Sequence, residues 1–219
     1  MIKYKLNILF ILITMICTFT FVNAQEPRLK GKIIYLDPGH GGRDPGAIYK
    51  EMKESEKNLE IAKELKQKLE QNGAKVYMTR IGDYDLSNPK AKNHKKDDLT
   101  KRAKLINESN CDLYISIHLN SDISSTWSGP QTFYTTKNKK NQEIAKLIQE
   151  KINKQLKTNR KIKELKGMYL FDRIEKPGIL FEAGFISNSN DRYLLNQKEH
   201  IDKIAETIKE AVIEFLITQ

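Results

Sequence analysis

Apolar residues along this chain fall into two alternating rhythms. Short β-rich runs at Lys32–Asp37, Ala74–Thr79, Asp112–His118, Gln131–Tyr134 and Ile179–Phe185 predict buried strands, and Met168–Phe171 predicts one more. Between them, apolar residues recur every three or four positions. Ile61, Ala62, Leu65 and Leu69 form one such stripe, closed by the helix-ending pair Asn72-Gly73. Leu99–Ile106, Ile144–Leu156 and Ile201–Leu216 show the same period, and these stripes read as core faces. Strands alternating with helices predict an α/β fold: one domain over residues 29–217, with a twisted, mostly parallel (mixed) sheet of about six strands and helices on both faces. Neither a linker nor a repeat interrupts this alternation. The lysine-rich stretch Pro89–Lys96 and the segment Asn120–Pro130 predict exposed loops.

The first 24 residues follow neither rhythm. Lys3 and Lys5 precede an apolar run from Leu6 to Val22, and Val22-Asn23-Ala24 places small residues at its end. A charged start, an apolar stretch and a small-residue end form a secretory signal, which implies secretion across the cytoplasmic membrane. The run falls short of the ~20 residues of a spanning helix. An uncleaved anchor is the alternative, and it would be the chain's sole membrane contact. Met15 and Ile16 before Cys17 do not suit a lipoprotein cysteine.

Composition narrows the class. Of 219 residues, 30% are charged and 39% hydrophobic, the balance of a folded water-soluble domain. Removal of the signal would leave Cys111 alone, so no internal disulfide could form. Cys111 beside a buried strand reads as an inert core thiol. The net charge of +10 suits an anionic polymer such as a bacterial cell wall, although lysine abundance throughout the chain also accounts for it. No nucleic-acid-reading motif is visible.

The candidate chemistry lies at strand ends. His40 follows the first strand within Asp37-Pro38-Gly39-His40-Gly41-Gly42, and His118 ends the strand Tyr114-Ile115-Ser116-Ile117. Sites in open α/β sheets lie beyond the carboxyl ends of strands. The glycines lack the spacing of a phosphate loop. Of the four histidines, His94 among lysines and His200 at the start of the last helix read as solvent-facing. Catalytic zinc commonly takes three protein ligands, two histidines and a carboxylate being one set. Glu54, Glu51 and Glu56 all stand near the helix start, and spacing alone does not choose among them. Glu182, within Ile179-Leu180-Phe181-Glu182-Ala183-Gly184-Phe185, is a carboxylate among apolar neighbours. It is either a general base and acid with a raised pKa or the partner of a buried arginine.

Four segments resemble the zinc N-acetylmuramoyl-L-alanine amidases: YLDPGHGGRDPGA from Tyr35, KESEKNLEIAKEL from Lys53, YISIHLNS from Tyr114 and ILFEAGFISN from Ile179. They occur in the family's order and span nearly all of the chain after the signal. The resemblance implies Zn2+ held by His40, Glu54 and His118, Glu54 being chosen because it stands four residues before Asn58-Leu59. It implies Glu182 as the catalytic carboxylate, and Arg80 and Arg102 as supports. It also implies hydrolysis of the amide joining muramic acid to L-alanine in peptidoglycan. The insert before Leu99, the Trp127-Ser128-Gly129 loop with Gln131–Tyr134, and Gly167-Met168-Tyr169-Leu170 resemble the spore-cortex, germination-specific branch. That branch prepares cortex for muramic-δ-lactam formation and places the enzyme in the cell wall or spore intermembrane space. Peptidoglycan is then the partner, with an activator protein possible. The alternatives are a vegetative amidase in cell separation, a zinc peptidase cutting within the stem peptide, and a catalytically silent wall-binding regulator.

Overall fold

A computed structural model describes residues 26–218. The expected signal at residues 1–24 lies outside the described residues. Within them, no helix is long and apolar enough to cross a membrane.

The sheet is built on β1 (Ile33–Pro38), β5 (Leu113–Asn120) and β8 (Gly178–Phe185). β4 (Lys75–Met78) flanks β1; beyond β8 come β6 (Gln131–Tyr134) and β7 (Lys163–Glu164), giving the order β4-β1-β5-β8-β6-β7. Every neighbouring pair is parallel except β6 with β8, which is antiparallel. The sheet is therefore six-stranded, mixed and mostly parallel, as the pattern required. A two-strand hairpin, β2 (Ile48–Tyr49) with β3 (Met52–Lys53), stands apart from it.

Strand alternation divides the core in two. Ile34, Leu36, Ile115, Ile117 and Phe181 face α1 (Glu54–Gln71), α3 (Lys139–Leu156) and α5 (Lys198–Ile217). Tyr35, Tyr114, Phe133 and Leu180 face the other way, against Ala103 and Ile106 of α2 (His94–Glu108). Helices do cover both faces, but unequally. The second face is completed by the segment holding Leu170, Phe171 and Ile174. That segment corrects the expected strand at Met168–Phe171: its apolar residues cap the sheet from above as a run of turns, and β7 takes the edge instead.

Helix starts came earlier than their stripes. The Asn93 side chain accepts a hydrogen bond from Lys96 N (2.9 Å) and caps α2. The expected loop at Pro89–Lys96 therefore gives up His94–Lys96 to the helix. Asn138 likewise caps α3 at Lys140, and the helix starts at Lys139, five residues before the apolar period begins at Ile144. A short α4 (Ser189–Leu195), capped by Asn188, was not marked by any apolar period. Cys111 is free, and burial raises its pKa, as expected of a core thiol.

Candidate metal centre

β1 runs out at Pro38 into a tight loop with His40 at its tip. His40 adopts a left-handed backbone (φ +62°), a region costly for a residue with a side chain. Two arginines, each 1% exposed, hold the loop there. Arg80 donates from Nε to the Pro38 carbonyl and from Nη2 to that of Gly39, both at 2.9 Å. Arg102 donates to the Pro38 carbonyl at 2.9 Å and to the His40 carbonyl at 2.6 Å. Three successive carbonyls are thereby fixed. Asp37 and Asp98 balance the charge of Arg102 at 2.9 and 2.8 Å. Thr79 and Ser116 donate to Asp37 in turn. Burial alone would raise the Asp37 pKa, but Arg102 and these hydroxyls hold it below the usual carboxylate range.

The loop delivers His40 to Glu54, the first residue of α1. Glu54 Oε1 lies 3.1 Å from His40 Nε2 and 2.9 Å from His118 Nδ1. The three donor atoms all lie within 4.8 Å of one another. Glu54 is 4% exposed and is anchored by the backbone N–H groups of Ala47, on Oε2, and Leu119, on Oε1. Burial works against its charge, but the two histidines outweigh that and hold its pKa far below normal. The rival glutamates are excluded by place: Glu51 is exposed, and Glu56 is exposed and pairs with Lys53. The His40 and His118 rings meet edge to face, 4.9 Å apart. The His118 ring lies so close over Gly39 that a Cβ there would sit 2.1–2.6 Å from its atoms. Only glycine admits this approach.

Two imidazole nitrogens and a carboxylate oxygen are a donor set that suits zinc. His40 carries a further sign of fit. Its Nδ1 lies 2.9 Å from Asp44 Oδ2, which turns Nε2 toward the cluster. Burial disfavours charge on His40, yet Glu54 and Asp44 raise its pKa overall.

Glu182 stands beside His118 as its register partner on the neighbouring strand. It forms no salt bridge among the described residues, so the arginine-paired reading fails. Its Oε2 is shielded from solvent and has no hydrogen-bond partner. Burial, and then the negative charge of Glu54, push its pKa well above the usual value. The carboxyl lines an open cleft of about 730 Å³, whose walls include Trp127, Gln131, Phe133, Arg160 and Phe185.

Similarity to known proteins shows the family. Residues 34–214 match the family model described as N-acetylmuramoyl-L-alanine amidase. The chain belongs to the N-acetylmuramoyl-L-alanine amidase family. It is 41% identical over 215 residues to the germination-specific N-acetylmuramoyl-L-alanine amidase of Bacillus subtilis (strain 168), covering 94% of this chain and 91% of that one. Among solved structures it resembles the CwlD amidase from Clostridioides difficile in complex with the GerS lipoprotein. There the TM-score is 0.82 at 33% identity, over 86% of this chain and all of that one. An N-acetylmuramoyl-L-alanine amidase from Clostridium difficile 630 follows at TM-score 0.77 and 30% identity, over 86% of this chain and 98% of that one.

The cluster around Glu54 contains residues that sequence reasoning passed over. Asp44 looked like one polar residue of a glycine-rich loop; its signal was the spacing of four from His40. Asp37 looked like a strand end and is instead the hub that steadies Arg102. Two histidines also need correcting. His94 is half-buried rather than free among lysines: its Nε2 lies 3.1 Å from Arg43 Nη1 and its Nδ1 3.2 Å from Ser87 Oγ. His200 is half-buried, and burial lowers its pKa. Neither reaches the cluster of His40, Glu54 and His118.

Proposed function

We propose that this amidase holds Zn2+ with His40, Glu54 and His118, uses Glu182 as proton carrier, and acts on spore-cortex peptidoglycan. The observation that carries the catalytic part is the pairing of three convergent donors with an unpartnered carboxyl on the adjacent strand. Zinc bound there would supply Lewis acidity, polarising the substrate carbonyl and acidifying water. The chain's own groups do the rest. Glu182 accepts a proton from the attacking water and returns it to the L-alanine nitrogen as the amide C–N bond breaks. One water is consumed; a carboxyl is left on the lactyl group of muramic acid and a free amine on the peptide. Asp44 keeps His40 in the tautomer whose Nε2 faces the centre. Arg80 and Arg102 keep the loop carbonyls still, so the donors need not reorganise. No serine or cysteine motif offers a covalent route.

The cortex assignment draws on the 41% identity to a protein named germination-specific, and on the fold shared with a clostridial amidase whose structure is in complex with a lipoprotein. A lipoprotein activator and a step toward muramic-δ-lactam form part of the same reading. So do a catalytic domain at residues 29–217, a signal at residues 1–24, and export to the cell wall or spore intermembrane space. The deciding experiment digests purified cortex peptidoglycan with and without a chelator. Chelator-sensitive release of intact stem peptides, leaving free muramic carboxyls, is expected. Shortened peptides would replace the amidase reading with a peptidase. Normal muramic-δ-lactam in spores of a deletion strain would move the enzyme to the vegetative wall.

A further inference from the structure

Three arginines point inward near the site, and one differs from the others. All three nitrogens of Arg80 donate hydrogen bonds, to four backbone carbonyls. Those of Arg102 reach two carboxylates and two carbonyls. Arg160 has a single bond, from Nη2 to the side-chain oxygen of Gln131 at 2.6 Å. Its Nε is buried and without a partner, and no carboxylate pairs with it among the described residues. A guanidinium carries five N–H donors in a planar fork, so most of this fork's capacity is unspent. The group is also held in place. Its guanidinium carbon lies 5.1 Å from the centre of the Trp127 ring and 5.0 Å from that of Phe185, a cation–π setting that helps to position the fork.

A partly desolvated cation without a counter-ion is unfavourable unless something else supplies the charge. Here the source is indicated by position. Arg160 shares its cleft with Glu182. Gln131, which Arg160 touches, is the cross-strand partner of Glu182. One residue, Gln131, thus connects the guanidinium to the strand position opposite the proton-carrying carboxyl. Lys161 and Lys163 add positive charge along the same wall, with Asp122 opposing them.

We infer that Arg160 is a specificity-determining residue that binds a free carboxylate on the peptide arm of the substrate, the one on the second residue after the scissile amide. This rests on the amidase reading above, which defines the peptide arm. The planar fork suits a carboxylate in two-point contact and suits a neutral carboxamide poorly. The cleft therefore discriminates between stems whose second residue is free and stems where it is amidated.

Trp127 is the chain's only tryptophan, so its fluorescence reports on Arg160 directly. The test titrates the zinc-loaded full chain with L-alanyl-γ-D-glutamyl-L-lysinamide, and with the same peptide carrying a carboxamide in place of the second-residue α-carboxylate. The acid should bind at least about tenfold more tightly than the amide, the difference expected of a charge-assisted contact. Arg160→Gln should reduce that ratio to within about twofold, and Arg160→Lys should restore part of it. Equal binding of acid and amide by the unaltered chain would overturn the inference, as would an undiminished preference in Arg160→Gln. Turnover is measured separately, on the two peptides joined to N-acetylmuramic acid. Absence of hydrolysis of both would sink the amidase reading, while the binding ratio would still decide the role of Arg160.

Discussion

Asp44 Oδ2 sits 2.9 Å from Nδ1 of His40, so the nitrogen that faces Glu54 is the one left free to bind a metal. Carboxylates that hold a ligand histidine in this way typically contribute 10–100-fold to metal affinity. Asp44→Ala should therefore weaken zinc binding by about that factor, with the fold intact, since Asp44 is half-exposed at the surface of its loop. Competition against a chromophoric chelator measures it, and unchanged affinity would remove Asp44 from the site.

Gly39→Ala tests the packing of His118. The added methyl would meet the imidazole at distances no Cβ tolerates, so the ring must move. Zinc affinity and turnover should fall together, and circular dichroism should report a retained fold. A variant with normal zinc content would show that the ring has more freedom than its contact with Gly39 implies.

How much of this was visible in the sequence depended on how each residue advertises itself. His40 and His118 stood out because histidine is rare here and the pattern set both at the ends of buried strands; in the fold His40 tips the loop after β1 and His118 lies two residues inside the end of β5. Glu54 was hidden among three glutamates, since burial, not residue type, separates it from Glu51 and Glu56. Glu182 announced itself as a charge amid apolar neighbours, but whether an arginine met it is a three-dimensional question. Asp44 and Arg160 carry no such mark, because polar residues in loops are usually turn formers or solvated. The same logic explains the fold. Strands written as short apolar runs were legible, while Lys163–Glu164, a polar edge strand, was not. Leu170 and Phe171 were buried as expected, but burial by a turn and burial by a strand leave the same short apolar run.

Asp37 and Arg102 form a buried pair, and breaking one member leaves the other uncompensated. Asp37→Asn should destabilise the protein by about 3–5 kcal/mol in urea unfolding at neutral pH. The pH dependence has a definite sign. The folded pKa of Asp37 lies below its unfolded value, so its contribution is present above about pH 3.9 and lost as pH falls through the folded pKa. The acid limb of the stability curve should flatten in Asp37→Asn. An unchanged limb would assign acid sensitivity to other carboxylates.

Glu182 should oppose stability while serving catalysis. Its folded pKa is raised, so it favours folding only below its unfolded pKa of about 4.3 and costs stability above it. In metal-free protein at neutral pH, Glu182→Gln removes an unpartnered carboxyl whose ionisation the fold disfavours, and should raise the unfolding free energy. The same variant should retain zinc and lose about 10²–10⁴-fold in turnover, the usual contribution of a positioned acid–base group. Equal stability of variant and parent in chelator would contradict the orphaned carboxyl. Undiminished turnover would remove Glu182 from the reaction.

Zinc should stabilise the fold as well as activate it, because its three donors come from the loop after β1, from α1 and from β5, which only the native fold brings together. A ligand that binds the native state alone at 100 times its Kd adds about 2.7 kcal/mol. For a domain of this size each kcal/mol moves Tm by roughly 2–4 °C. Saturating zinc should therefore raise Tm by about 5–10 °C over chelated protein, and Glu54→Gln should lose most of that rise. Calorimetry with graded zinc measures both. A Tm indifferent to zinc in the parent chain would mean that these three side chains do not form the metal site, whatever the enzyme's need for the ion.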